Sequence, residues 1–80
     1  MARVVFPDHL LPHTAGEREV EVSAETFRDL LEALEAKWPG SSQVMSKCAV
    51  SIDAQIYQDA FLEPLQPDSE VFFMQRIAGG

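Results

Sequence analysis

One stretch of this chain has an apolar stripe that only a helix can make continuous. Phe27, Leu30, Leu31, Leu34 and Trp38 recur at helical spacing, while Arg28, Asp29, Glu32, Glu35 and Lys37 lie mainly off that stripe. Thr26 is the expected N-cap, with Asp29 three residues on as a weaker form of the capping box; Ser23 is a rival cap one turn earlier. Pro39 and Gly40 end the segment. The remaining apolar runs are short and β-type, so a single helix has to cover whatever sheet they build. Eighty residues leave room for one such core, and the chain reads as one domain, 1–80, with 75–80 as a C-terminal tail.

The strands follow from composition and alternation. "ARVVF" is β-branched and aromatic up to Pro7, and "REVEV" puts Val20 and Val22 on one face against charged neighbours. Between them "PDHLLPHTAGE" reads as loop, punctuated by Pro7, Pro12 and Gly16. After the polar "SSQ", "CAVSI" alternates Cys48, Val50 and Ile52 against Ala49 and Ser51. Asp53 and Ala54 form a turn, "QIYQ" a short edge strand, "LEPLQPD" a loop, and "EVFFM" the last strand. Two strands, a helix, a strand, a short strand and a last strand give an α+β layer pair: the β-grasp order, with a mixed four- to five-stranded sheet and one main helix on one face. In "VVF" and "VFFM" consecutive residues are apolar, so both faces of those strands carry hydrophobic side chains. The helix covers one face; the other is left for a partner or a loop.

Charge and cysteine content narrow the function classes. A formal net charge of −7 repels phosphate backbones and anionic lipid, which disfavours nucleic-acid and membrane partners. It suits a protein partner with a basic docking surface, or serves solubility alone. One cysteine, Cys48, excludes an intramolecular disulfide framework; with no signal peptide or transmembrane run, a cytoplasmic protein is expected.

Side-chain chemistry is sparse. His9 and His13 are spaced i, i+4, but Pro12 stands between them in a loop and no third ligand is near, so no metal site is expected. Cys48 reads as a small core hydrophobe. Glu32, Glu35, Asp53, Asp59 and Asp68 form no evident catalytic pair, and neither a phosphate loop nor a nucleophile elbow occurs. The chemically distinctive feature is the ending "VFFMQRIAGG". Without a Cβ, Gly79 and Gly80 can thread a narrow channel, and residues 75–80 span up to ~20 Å when extended. The α-carboxylate of Gly80 becomes electrophilic once it is activated, typically by adenylation.

Together, the first strand, hairpin, helix and the ending "LQPDSEVFFMQRIAGG" resemble the ThiS/MoaD family of sulfur carriers. The resemblance implies a carrier, not an enzyme, although the small subunit of molybdopterin synthase belongs to the same class. It binds no cofactor itself: an E1-like adenylyltransferase uses ATP and magnesium to activate Gly80. A cysteine desulfurase, a rhodanese or sulfide then supplies the sulfur of a thiocarboxylate, which a biosynthetic enzyme accepts. Gly79 gives access, Ile77 and Ala78 guide the tail, and Val5, Phe72 or Phe73, and Met74 dock the partner enzymes. Asp68-Ser69-Glu70 replaces the family's Gly-Asp turn, and Gln75 and Arg76 replace the prolines common in molybdopterin synthase subunits. Pro12, His13, Thr14 and Gly16 are similar to the first loop of carriers serving cysteine biosynthesis, so that branch is favoured over the molybdopterin and thiamine types. A ubiquitin-like modifier joined to lysines and an inert β-grasp interaction module remain the alternatives.

Overall fold

A computed structural model describes residues 1–76 of the chain. Its strands are β1 (Ala2–Val5), β2 (Glu19–Val22), β3 (Ala49–Ile52), β4 (Gln55–Tyr57) and β5 (Glu70–Met74), with helices α1 (Phe27–Lys37) and α2 (Ser41–Met45) between β2 and β3. The five strands form one sheet in the order β2-β1-β5-β3-β4. β1 and β5 run parallel at its centre, and the other pairs are antiparallel. This is the mixed sheet with a helix across one face expected from the order of elements.

The helix forms where its pattern says it should. Thr26 is the cap, its hydroxyl oxygen accepting from the Asp29 N–H at 3.2 Å. Two further N-terminal donors, the N–H groups of Phe27 and Arg28, are satisfied by the carbonyls of Glu63 and Phe61, each at 2.9 Å. Phe27, Leu30, Leu31 and Leu34 are buried against Val4, Val50, Val71 and Phe73 of the sheet. Phe73 is the hub: its ring stacks on Phe6 at 5.6 Å and meets Phe27 at 5.7 Å, while Phe6 meets Trp38 edge-on at 5.7 Å.

One segment expected as loop is helical, and so is one for which no element was expected. Asp8–His13 is a 3₁₀ helix whose Leu10 is buried, and Ser41–Met45 is α2. Pro12 is tolerated because a short 3₁₀ helix needs few donors. In the turn that follows, Thr14 is fully buried and its hydroxyl donates to the Glu17 carbonyl at 2.7 Å. Ala15 and Gly16 turn the chain with φ of 55° and 82°. Thr14 and Gly16 of the Pro12-His13-Thr14-Gly16 pattern therefore have a local structural explanation.

Strand β3 is buried along its whole length, not only on the Val50 and Ile52 side. Its outward residues, Ala49 and Ser51, are small and lie beside Met74, Phe72 and Ile56 of the neighbouring strands. Cys48 precedes the strand. No helix among the described residues is long and apolar enough to cross a membrane.

Candidate functional site

The register of the sheet decides which apolar side chains reach the surface. Val5 of β1 pairs with Phe72 of β5, Phe72 with Ser51 of β3, and Ser51 with Ile56 of β4. Directly paired residues share a face, so these four form a row across the side of the sheet that α1 leaves uncovered. Met74, paired with Ala49, stands one step further along β5 towards the tail. Ile56 is 63% exposed and Phe72 36%, while Val5 and Met74 are half-buried.

Phe73 is corrected by this register. It is 4% exposed and enclosed by aromatic neighbours, so it holds α1 to the sheet and offers nothing to a partner. Adjacent strand residues point to opposite faces, and the pairing gives the outward one to Phe72. The positions expected of Ile77, Ala78, Gly79 and Gly80 lie outside the described residues.

Arg3 borders the row. Its guanidinium binds Glu19 and, at 3.0 Å, Glu70, and it lies 5.9 Å from the centre of the Phe72 ring. Hydrogen bonding and charge from Glu19 first, and then Glu70, push the Arg3 pKa further up and keep it cationic. The rim of the patch is thus one arginine among Glu19, Glu21 and Glu70. Neither Arg3 nor Ile56 was expected at the site. The signal for Ile56 was the alternation in "QIYQ", which sets it opposite its two neighbours. Locating it beside Phe72 needed the strand order.

Beyond Met74 the chain passes Gln75 and Arg76, both exposed and outside the strand. The Arg76 guanidinium donates to the Gln58 carbonyl just after β4. Arg76 and Cys48 line the same cleft with Phe27, Leu31 and Phe61. Burial pushes the Cys48 thiol pKa up, with the Arg76 charge acting weakly the other way. A raised pKa disfavours the nucleophilic thiolate.

The remaining sequence candidates stay apart. His9 and His13 are both exposed on the 3₁₀ helix, where four residues correspond to about 120° of rotation, so they do not converge. Among the described residues, no three His, Cys, Asp or Glu side chains group to hold a metal. Asp53 ties the start of β5 to the β3–β4 turn: it accepts the Glu70 N–H at 2.9 Å and the Ser69 hydroxyl at 2.8 Å. Glu35 accepts the N–H groups of Gly40 and Ser42 and the Ser42 hydroxyl.

No family model matches the sequence, and a search of curated proteins finds no relative. Solved structures do match. The Mycobacterium tuberculosis CysO structure, described as an antigen, superposes with a TM-score of 0.86 at 18% identity, over 96% of this chain and 100% of that one. A chain in the Amycolatopsis orientalis BexX/CysO complex gives 0.87 at 19% identity, covering 100% of both. The solution structure of small archaeal modifier protein 1 (SAMP1) from Methanosarcina acetivorans gives 0.79 at 19% identity, over 99% of this chain and 95% of that one. End-to-end superposition on these chains, with the strand order and the helix placement, establishes the ubiquitin-like β-grasp fold.

Proposed function

We propose that the protein is a sulfur carrier that presents the Gly80 carboxylate as its reactive group. An E1-like enzyme, using ATP and magnesium, joins that carboxylate to AMP with loss of pyrophosphate. Sulfide displaces AMP to give the thiocarboxylate directly. The persulfide of a desulfurase or rhodanese displaces AMP to give an acyl disulfide, which a second thiol cleaves to the thiocarboxylate while a disulfide forms on the donor side. The thiocarboxylate is then handed to a biosynthetic acceptor. The favoured acceptor belongs to a cysteine-type pathway, ahead of molybdopterin and thiamine types. The protein's own contribution is docking and delivery. Gly79 admits the backbone to a narrow channel, Ile77 and Ala78 guide it, and Val5, Phe72, Met74 and Ile56 seat the partner.

One observation carries this reading. Central strand β5 runs from the outward Phe72 and Met74 straight into the segment that ends in Ala-Gly-Gly, so a partner seated on the row also lies beside the tail's root. The likeness to CysO supports the carrier role and its branch, and the BexX/CysO complex supports a partner enzyme as the kind of protein that binds. The likeness to a small archaeal modifier protein favours a second reading, conjugation of Gly80 to lysine, which shares the activation step.

The test is the intact mass of the protein purified gently from its native host with its neighbouring genes expressed. A gain equal to the exchange of one oxygen for sulfur, mapped to Gly80, supports the carrier. Conjugates joined to lysine through Gly80 support the modifier. An unchanged carboxylate after incubation with ATP and the E1-like partner rejects both. Deletion of Gly80 is expected to abolish activation while leaving the fold intact, because the residue lies beyond β5.

A further inference from the structure

The loop after β4 carries Phe61 and Leu62, 47% and 74% exposed, and Phe61 lines clefts with Leu31 of α1, on the face opposite the Phe72 row. The loop backbone is fixed from several directions. The Phe61 N–H donates to the Asp59 carboxylate at 3.2 Å, and the Phe61 carbonyl accepts from the Arg28 N–H at 2.9 Å. The Glu63 N–H donates to the Ala60 carbonyl, and the Glu63 carbonyl accepts from Phe27. The loop thus caps α1 with its own carbonyls, and in doing so holds both side chains out toward solvent.

Such an arrangement suits recognition, because the backbone is ordered before a partner arrives and little entropy remains to be lost. Phe61 stands between two clefts that share Leu31 and Ser46 as lining. The one on the α1–α2 side holds about 400 Å³ and is bordered by Arg28, Glu32 and Glu35. Its charges are unequal in what they can offer. Arg28 is paired with Asp29 at 3.6 Å, and Glu35 is committed to the turn before α2. In the other cleft Arg76 is bound to the Gln58 carbonyl. Glu32, Asp59 and Glu63 have no ion-pair partner among the described residues.

We infer that Phe61, Leu62 and the adjoining cleft form a second docking surface, whose occupant is a basic amphipathic segment of a partner protein. Apolar side chains of that segment pack on Phe61, Leu62 and Leu31, and its Lys or Arg residues meet Glu32, Asp59 and Glu63. Phe61 lines its clefts with Leu31 of α1, whereas the Phe72 row lies on the sheet face that α1 leaves uncovered, so the partner can bind while that row is occupied. The inference goes beyond sulfur transfer and does not depend on the chemistry of Gly80.

The experiment is an NMR titration of the full-length ¹⁵N-labelled chain with a helical lysine/leucine peptide, and with a glutamate/leucine peptide of the same pattern. The basic peptide is expected to shift the amides around Leu31, Phe61 and Leu62 saturably, and the acidic one to leave them unmoved. Phe61→Ser should weaken binding by at least about tenfold, the usual consequence of losing an aromatic anchor. Its unfolding midpoint should stay near that of the parent, since backbone groups make the loop's hydrogen bonds. The pair Glu32→Gln and Asp59→Asn should weaken binding and flatten its salt dependence. Shifts centred on Val5 and Phe72, an equal response to both peptides, or no saturable response would each overturn the inference.

Discussion

Phe72 and Phe73 are covalent neighbours with opposite surroundings: Phe73 stacks on Phe6 inside the core, and Phe72 faces outward near the Arg3 guanidinium. Phe73→Ala should lower unfolding free energy by about 3–5 kcal/mol in chemical denaturation, the range for a lost core aromatic. Phe72→Ala should cost less, about 1–2 kcal/mol, since its ring is already about a third exposed and it forfeits partial burial and a surface cation–π contact. In binding the order reverses: if the proposed activating enzyme docks on the row, Phe72→Ala should weaken its capture by about tenfold or more, as measured by calorimetry. Equal stability losses in the two variants would show that the register is wrong. The sequence could not separate the two residues, because "VFFM" is apolar at every position and alternation carries no phase there. Phase came from long-range pairing to Val5 and Ser51. Asp53 teaches the same point. Its place in a turn was legible, but its bonds to Ser69 and Glu70 span 16 and 17 residues. Asp53→Ala should therefore cost about 1–3 kcal/mol in the same assay, since it strips the partners of a buried hydroxyl and a strand N–H.

At the scale of elements, long patterns were readable and short ones were not. α1 repeats its stripe over three turns and carries its own cap, whereas α2 has five residues and cannot build up a period. What sets α2 in place is Glu35, a residue expected only to face solvent. Its carboxylate accepts from Gly40 at 2.7 Å and from the Ser42 hydroxyl and N–H at 2.8 and 3.1 Å. These bonds, the Gly40 N–H foremost, hold the Glu35 pKa below the ordinary 4.5. A carboxyl with a depressed folded pKa contributes stability above its unfolded value and loses it as pH falls through the folded one. Wild type should therefore melt above Glu35→Gln at neutral pH, and the gap should close on acidification below 4.5. A gap that persists in acid would mean the carboxylate's charge is not what fixes the turn.

For the molecule as a whole, the order of the strands and the one long helix was enough to give the β-grasp arrangement, because a single long helix leaves few ways to cover one sheet. The role of the charge was not legible, since −7 serves solubility and steering alike. The structure adds a reason to favour steering. On the Phe72 face Arg3 is already bound to Glu19 and Glu70, so the rim presents net negative charge to an approaching partner. A basic docking surface would then be drawn in from a distance set by the Debye length, about 30 Å at 0.01 M salt and about 8 Å at 0.15 M. Stopped-flow association with the proposed activating enzyme should accordingly slow by about tenfold or more across that range, while dissociation changes little. Glu19→Gln together with Glu70→Gln should reduce that slope without altering the fold, because both side chains are exposed. If the association rate ignores salt in the wild type, the charge serves solubility, and the apolar row alone must account for recognition. A steep slope unaffected by the double substitution would instead move the electrostatic contact away from the sheet face, toward the carboxylates around Phe61.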